Sequence, residues 1–254
     1  MRNRFWIISM IVASLFMVSC RDQEAAPEAA PTAAVSVEEP APTVEIGIED
    51  PTPEPTEVPE SIWVLLPDSA SSARWETDDR LYFEQAFEAE GVAYQIVNAE
   101  GDAYTQQMQA EQAITSGARV ILLVNLDSGS GAAIIAAARD AGVSVIDYDR
   151  LTVEGPGADL YVSFDNVKVG AAMAEVLTPL LNAREGVPEI VLLNGSPSDN
   201  NASLFREGSL SAAEPYINEG TWKYIDDQWV PDWDTQEALV IVEQILTASE
   251  GSIS

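Results

Sequence analysis

The sequence predicts an α/β fold of two doubly wound parallel-sheet lobes, over residues 61–160 and 161–254. Three observations carry this expectation. Short apolar runs rich in β-branched residues suit strands that are covered on both faces. Longer segments with helical spacing lie between them and stop at glycines, which take the left-handed conformation of a helix end without steric cost. Strand, helix and glycine recur at intervals of about thirty residues or fewer, the pattern of right-handed βαβ units.

In the first lobe the predicted strands cover residues 62–66, 93–97, 120–124 and 143–146. The helix after the first strand carries Trp75, Phe83 and Phe87 on one side and stops at Gly91. The next carries Tyr104, Met108 and Ile114 as its apolar positions and stops at Gly117; an Ala-rich third stops at Gly142. The second lobe opens with a crossing strand over 160–164 and a helix over 167–182, then a buried strand over 189–193. A helix over 202–220 follows, interrupted near Pro215 because proline removes a backbone donor, then a strand over 223–230 and a helix over 234–248.

The N-terminus reads as an address. Arg2 and Arg4 precede an apolar run over 5–18, too short to span a bilayer and right for the core of a signal peptide. It ends in Met17-Val18-Ser19-Cys20, which resembles the lipobox of bacterial lipoproteins, with Met17 where Leu is commonest. Residues 1–20 are therefore expected to be a lipoprotein signal peptide and lipobox, with Cys20 lipidated and the protein anchored to the outer face of the cytoplasmic membrane or held in the periplasm. The alternative is an ordinary secreted protein with an incidental cysteine. With no second cysteine in the sequence, an intrachain disulfide is excluded. Residues 21–60 hold eight of the fifteen prolines and eleven acids against one arginine, with few large apolar side chains. Such a segment cannot bury a core and reads as a disordered Pro/Ala/Glu tether.

The 254 residues are 46% hydrophobic, enough for a core, and carry a net charge of −30. That charge repels phosphate backbones and anionic lipid, which argues against nucleic-acid binding. The blander role of the acids is to keep a secreted protein soluble. The absence of histidine removes His-based catalysis and most zinc chemistry, so neither a metal nor another cofactor is expected. Gly129-Ser130-Gly131 opens a helix as a dinucleotide fingerprint would, but Ile134 stands where the third glycine belongs. No Walker lysine follows Gly195 and no Gly-x-Ser-x-Gly elbow occurs. What is left for an enzyme is a glycosidase-like carboxylate pair, Asp149 with Asp199. Neighbouring Arg and Asn side chains speak against it, because they hold carboxylates ionised rather than raising one for acid catalysis.

The remaining polar residues collect at predicted strand ends, where an open α/β sheet presents its ligand. They lie in Tyr148-Asp149-Arg150, in Ser163-Phe164-Asp165-Asn166, in Gly195-Ser-Pro-Ser-Asp199-Asn200-Asn201 through Phe205-Arg206-Glu207-Gly208, and in Asp227-Gln-Trp-Val-Pro-Asp-Trp233. Carboxylates, amides, a guanidinium fork and flat indoles suit a small polyol, whose hydroxyls donate and accept while its ring C–H face is apolar. In order and spacing these segments closely resemble the D-xylose-binding proteins of bacterial ABC sugar importers, within the type I periplasmic binding protein family. The resemblance runs from about Ile62 to the last residue, and Ser-Pro-x-Asp-Asn-Asn-Ala-x-Leu-Phe-Arg is its most specific stretch.

The resemblance implies roles. Arg74 donates to sugar hydroxyls and Trp75 lines the pocket; Asp149 and Arg150 grip adjacent hydroxyls; Asp199, Asn200 and Asn201 lie on the closing loop; Trp233 stacks on the sugar ring. Asp165, Asn166 and Arg206 are equally suited to capping helices or joining the lobes. Relative to the family about the last third is absent, so the second lobe is expected to be incomplete and the sequence truncated at its C-terminal end, lacking an Asn, an Asp and a Lys contact. The implied action is binding without catalysis: a monomer whose lobes close by a hinge on a monosaccharide, D-xylose or a related aldose, and deliver it to an ABC permease. A sensor docking its closed form on a signalling receptor is the alternative, and a repressor-type sensor core is a further one, disfavoured by the lipobox and the lack of a helix-turn-helix.

Overall fold

The structure, a computed structural model, describes residues 60–249. The protein divides into two units, Met1–Thr52 and Pro53–Ser254. The first unit lies wholly outside the described residues. With it go the predicted leader over 1–20, the Cys20 site and nearly all of the tether over 21–60.

In the second unit β1 (Ser61–Leu66) sits between β2 (Ala93–Asn98) and β3 (Ala118–Leu123). The sheet continues through β4 (Ser144–Tyr148) to β5 (Leu160–Val162), and every pairing is parallel. Alternation along β1 divides its side chains between two clusters. Trp63 and Leu65 face Ile134, Ile135 and the small residues Ala110, Ala113 and Ala138, which come from α2 (Ala103–Thr115) and α3 (Ser128–Asp140). Val64 and Leu66 face Trp75, Val124 and the partly buried Phe83, Phe87 and Tyr148. Phe83 and Phe87 belong to α1 (Arg80–Glu90), which ends at Gly91 with φ +66°. Each buried Leu, Val or Ile contributes roughly 1.5–3 kcal/mol, so these two clusters fix the sheet and the loops at its ends.

Two expectations are corrected. Tyr104 and Met108 do not face the sheet: they are 71% and 45% exposed. Helix α2 instead buries Ala110 and Ala113, whose small side chains let it approach closely, together with Gln106. The Gln106 Nε2 donates to the Val124 carbonyl at 2.9 Å, a polar contact at the end of β3 that a hydrophobic count does not anticipate. Second, the strand expected to open the second lobe belongs to the first sheet, with Asp147 of β4 opposite Tyr161 of β5. The second sheet begins only after α4 (Asn166–Asn182).

That sheet has two parallel strands among the described residues, β6 (Glu189–Asn194) and β7 (Lys223–Trp229). Helix α5 (Asn200–Asn218) lies between them in sequence, and α6 (Thr235–Ala248) follows β7. The interruption predicted at Pro215 is not a break: α5 carries through it, and Glu219 N–H still reaches the Pro215 carbonyl at 3.0 Å. Helices α4 and α5 meet at glycines. A Cβ at Gly208 would sit 1.9 Å from the Val167 oxygen, and one at Gly170 would sit 2.1 Å from the Phe205 oxygen. The Ser209 hydroxyl donates across the same crossing to the Gly170 carbonyl at 2.9 Å. Val176 and Leu180 of α4 and Leu239 of α6 remain exposed.

Candidate functional site

The candidate site is built by loops at the C-terminal ends of β1, β4, β6 and β7, the end of a parallel sheet where ligands bind. The loop after β1 is folded by Asp68, whose carboxylate accepts from the Ala70 N–H at 2.8 Å, the Ser71 N–H and the Ser71 hydroxyl at 2.7 Å. It delivers Arg74 to a π-helical turn, Trp75–Asp79. The Arg74 guanidinium lies 4.1 Å over the Trp75 ring, and its Nη2 donates to Asp149 Oδ2. Trp75 is only 2% exposed. It lines the cavity while belonging to the core, and its main part is to carry Arg74.

After β4 the backbone makes a tight turn in which Asp149 takes φ +66°, unusual for a residue with a Cβ. The turn is pinned from several sides. The Arg150 N–H reaches the Tyr148 carbonyl at 2.8 Å and the Asp149 N–H reaches that of Val162 at 2.8 Å. The Asp149 carbonyl accepts from Tyr161 at 3.1 Å, Ser163 at 3.0 Å and Asn201 Nδ2 at 3.1 Å. This over-determination holds the strained residue and aims its carboxylate at Arg74 and, at 2.9 Å, at Asn201 Nδ2. Arg150 is buried beside it, with Nη1 donating to the Asn125 carbonyl at 3.3 Å and Nε 3.1 Å from Asp199 Oδ2.

From the second lobe come Asp199, Asn201 and Trp233. Asp199 caps α5, accepting from the Asn201 N–H at 2.9 Å, and takes a bond from the Trp233 indole at 3.1 Å. Burial pushes its carboxyl above the usual carboxylate range, against the pull of Arg150, the Asn201 N–H and the indole. Trp233 sits in a turn where it and Asp232 both have positive φ, at 57° and 51°. Its ring covers Gly195, where an added Cβ would fall 2.1 Å from the indole. Phe205 stands edge-on to Trp233 at 6.4 Å and stacks with Phe164 at 6.3 Å.

Seven of the eight expected residues, Arg74, Trp75, Asp149, Arg150, Asp199, Asn201 and Trp233, thus surround one cavity of about 320 Å³. Asn200 does not: it starts α5 outside the lining. Ser71, Ser72, Phe164 and Phe205 complete the wall. A larger cavity of about 650 Å³ adjoins it across Arg150 and Trp233, with Asp68, Asp127 and Asp232 on its walls. An apolar cavity of about 210 Å³ lies behind Phe205 and Trp233, against β6 and beneath α4 and α5. Of the ambiguous residues, Asp165 caps α4 through the Lys168 N–H at 3.0 Å, and Asn166 Nδ2 orients Asn201 at 2.9 Å. Arg206 is bound to Asp227 within the second lobe, away from the cavity. These three serve the scaffold. Of the residues that hold the Asp149–Arg150 turn, Ser163 lies in one of the strand-end segments singled out in the sequence, whereas Asn125 and Tyr161 carried no signal beyond ordinary loop and strand polarity.

Charged forks, amides, indoles and phenyl rings around one cavity make a site that can hold a small polar ligand with an apolar face. Among the described residues no group of three or more Asp, Glu, Cys or His is placed to hold a metal ion. Two parallel sheets with a polar cavity at their strand ends define a ligand-binding α/β class, and the chain belongs to the periplasmic binding protein domain family, whose sequence pattern matches residues 63–254. It is 34% identical over 188 residues to the D-xylose-binding periplasmic protein of Escherichia coli K12, covering 73% of this chain and 54% of the relative. It is 32% identical over 196 residues to the multiple sugar-binding periplasmic receptor of Rhizobium radiobacter, covering 74% and 55%. Among solved structures, a carbohydrate transporter solute-binding protein from Chloroflexus aurantiacus in complex with D-glucose matches with TM-score 0.65 and 29% identity, over 74% of this chain and 61% of that one. The chain spans about half the length of the curated relatives it matches.

Proposed function

We propose that this protein is a substrate-binding lipoprotein of an ABC importer, and that it captures a monosaccharide, D-xylose or a related aldose, and delivers it to a membrane permease. The observation that carries the reading is the convergence of Arg74, Asp149, Arg150, Asn201 and Trp233 on one cavity from loops of both lobes. Sugar hydroxyls both donate and accept, so a guanidinium and a carboxylate side by side can each satisfy one half of a hydroxyl pair, while the indole covers the ring C–H face. The sugar-binding relatives support the ligand class, without fixing which sugar.

In this reading the ligand residues already bond to one another across the lobes, Arg150 to Asp199 and Asn201 to Asp149. A sugar replaces part of this set and is enclosed, and the closed form is what a permease recognises. Burial raises the Asp199 carboxyl despite its arginine neighbour, contrary to the expectation from sequence. Both Asp149 and Asp199 nevertheless work as acceptors rather than as a catalytic acid pair, since Arg74 and Asn201 donate to the one and Arg150 and the Trp233 indole to the other. Cys20 anchors the protein in the envelope, and the protein acts as a monomer.

Calorimetric titration of the full-length protein with pentoses, hexoses, amino acids and nucleosides tests the proposal. A sugar is expected to bind on the order of micromolar, about −8 kcal/mol, and to be recovered unchanged. Asp149→Ala and Arg150→Ala should each weaken it by about ten- to a hundred-fold, as loss of a hydrogen bond to a charged group does. Binding of another ligand class with no sugar below millimolar, or turnover of the sugar, would overturn the proposal.

A further inference from the structure

We infer that Asp79, with Tyr148 behind it, is a positioning residue that holds the Arg74 guanidinium in the orientation in which it meets the ligand. The inference rests on the sugar-site reading above and adds a residue which that reading does not include. Asp79 closes the π-helical turn, whose Arg80 N–H reaches back to the Trp75 carbonyl. A π-turn admits one residue more than an α-turn, and such turns gather at functional sites. Of the two consecutive acids Asp78 and Asp79, Asp78 is exposed and Asp79 is buried behind the cavity wall.

Its contacts are specific. Oδ1 accepts from the Tyr148 hydroxyl at 2.9 Å. Oδ2 lies 3.5 Å from Arg74 Nε and has no hydrogen-bond partner of its own, which leaves its charge directed at the guanidinium. The Arg74 plane is therefore held on three sides: Nε by Asp79, Nη2 by Asp149 and one face by Trp75 at 4.1 Å. Nη1 has no partner among the described residues and belongs to the side chain lining the cavity. Without Asp79 the guanidinium keeps Asp149 as its only carboxylate and can rotate to cover both of that residue's oxygens. Two ligand-gripping groups would then be occupied with each other. Burial pushes the Asp79 carboxyl up, against the Tyr148 hydroxyl and the Arg74 charge, and the Tyr148 hydroxyl is itself pushed up to about 12 by burial and by Asp79. Tyr148 is packed edge-on against Phe83 at 5.0 Å, so the pair is fixed to the core rather than to the loop it steadies. A prepositioned fork loses less freedom on binding, which is where affinity is gained.

The test is a double-mutant cycle in the full-length protein, titrated with D-xylose and D-glucose. Asp79→Asn keeps the shape and an acceptor for Tyr148 while removing the charge. It should weaken the sugar that wild type binds by about ten-fold, with Tyr148→Phe about two- to five-fold weaker, and Arg74→Ala about ten- to a hundred-fold weaker. In the Arg74→Ala background neither Asp79→Asn nor Tyr148→Phe should weaken binding further, whereas a merely structural role would subtract the same amount in both backgrounds. A ligand-free measurement runs beside it: the Nε–H resonance of Arg74, assigned by its loss in Arg74→Ala, should be shifted from that of a free arginine in wild type by the facing carboxylate and move to the free position in Asp79→Asn. Wild-type affinity in Asp79→Asn, or equal losses with and without Arg74, overturns the inference while leaving the sugar site standing. If wild type binds neither sugar, the sugar reading fails and the resonance decides alone, an unchanged Arg74 signal in Asp79→Asn overturning the positioning role. Should Asp79→Asn not fold, the same two readouts on Tyr148→Phe decide it, full affinity with an unshifted Arg74 signal being the contrary result.

Discussion

Asp147 is buried one residue before Tyr148, and its two oxygens accept from the Thr152 N–H at 2.7 Å and the Thr152 hydroxyl at 3.0 Å. Those bonds tie the far side of the Asp149–Arg150 turn to the strand, and Asn125 adds to the tie by donating to the Arg150 carbonyl at 3.1 Å. Burial raises the Asp147 carboxyl above its ordinary value of 3.8, and the two Thr152 bonds offset only part of the rise. The sign follows by linkage. A carboxyl whose pKa is raised in the folded state binds its proton more readily there, so its contribution to stability is full below the unfolded pKa and is lost as pH rises through the folded one. The stability of wild type relative to Asp147→Asn is therefore expected to be greatest in acid and to fall as the pH climbs toward neutrality. Denaturant unfolding of both proteins across that range checks it, and a difference that grows with pH would show that the Thr152 bonds outweigh burial. Sequence reasoning found Asp149 and Arg150 because their types and position suit a ligand. It did not find Asp147, Thr152 or Asp79, because what singles these out is burial and, for Asp79, a partner 69 residues away, neither of which leaves a mark at the residue itself.

Elements were more legible than their faces. The four first-lobe strands appear within a residue or two of the expected runs, since their β-branched content and terminating glycines act locally. Helix α2 misled because Tyr104 and Met108 follow the apolar spacing while Ala110, Ala113 and Gln106 take the buried side. The placement of β5 was not legible either, because three residues pair with β4 through backbone bonds that any side chains permit. The crossing of α4 and α5 shows a further blind spot. Gly208 lies in the stretch that carries the resemblance, yet its role in the fold is to let two backbones touch. Gly208→Ala forces a methyl against the Val167 oxygen, and overpacking of this kind costs about 1–3 kcal/mol. The melting temperature of that variant should fall by several degrees, while a neighbouring exposed change such as Glu207→Ala should leave it within about a degree. An unaltered melting temperature in Gly208→Ala would mean the helices can part without loss.

At the scale of the molecule, two sheets present their strand ends to one crevice, and three contacts join them there: Arg150 to Asp199, Asn201 to Asp149, and Phe164 to Phe205. All three involve residues that line the cavity on both sides, so occupancy of the cavity and the relation of the lobes are coupled by construction. The net charge of −30 plays no part in that coupling; it sets which partners approach, disfavouring polyanions while leaving a neutral polyol indifferent. What distinguishes a sugar site from a merely well-satisfied polar interface is whether a sugar enters it. The most direct measurement is a crystal structure of the full-length protein grown with D-xylose or D-glucose. A pyranose ring is expected in the cavity bounded by Arg74, Asp149, Arg150 and Asn201, with its C–H face on Trp233 and its hydroxyls within hydrogen-bond distance of the Arg74 and Asp149 side chains. A sugar bound only in the neighbouring cavity beside Asp68 and Asp232, or a crevice in which Arg150–Asp199 and Asn201–Asp149 remain closed on each other at saturating sugar, would contradict it.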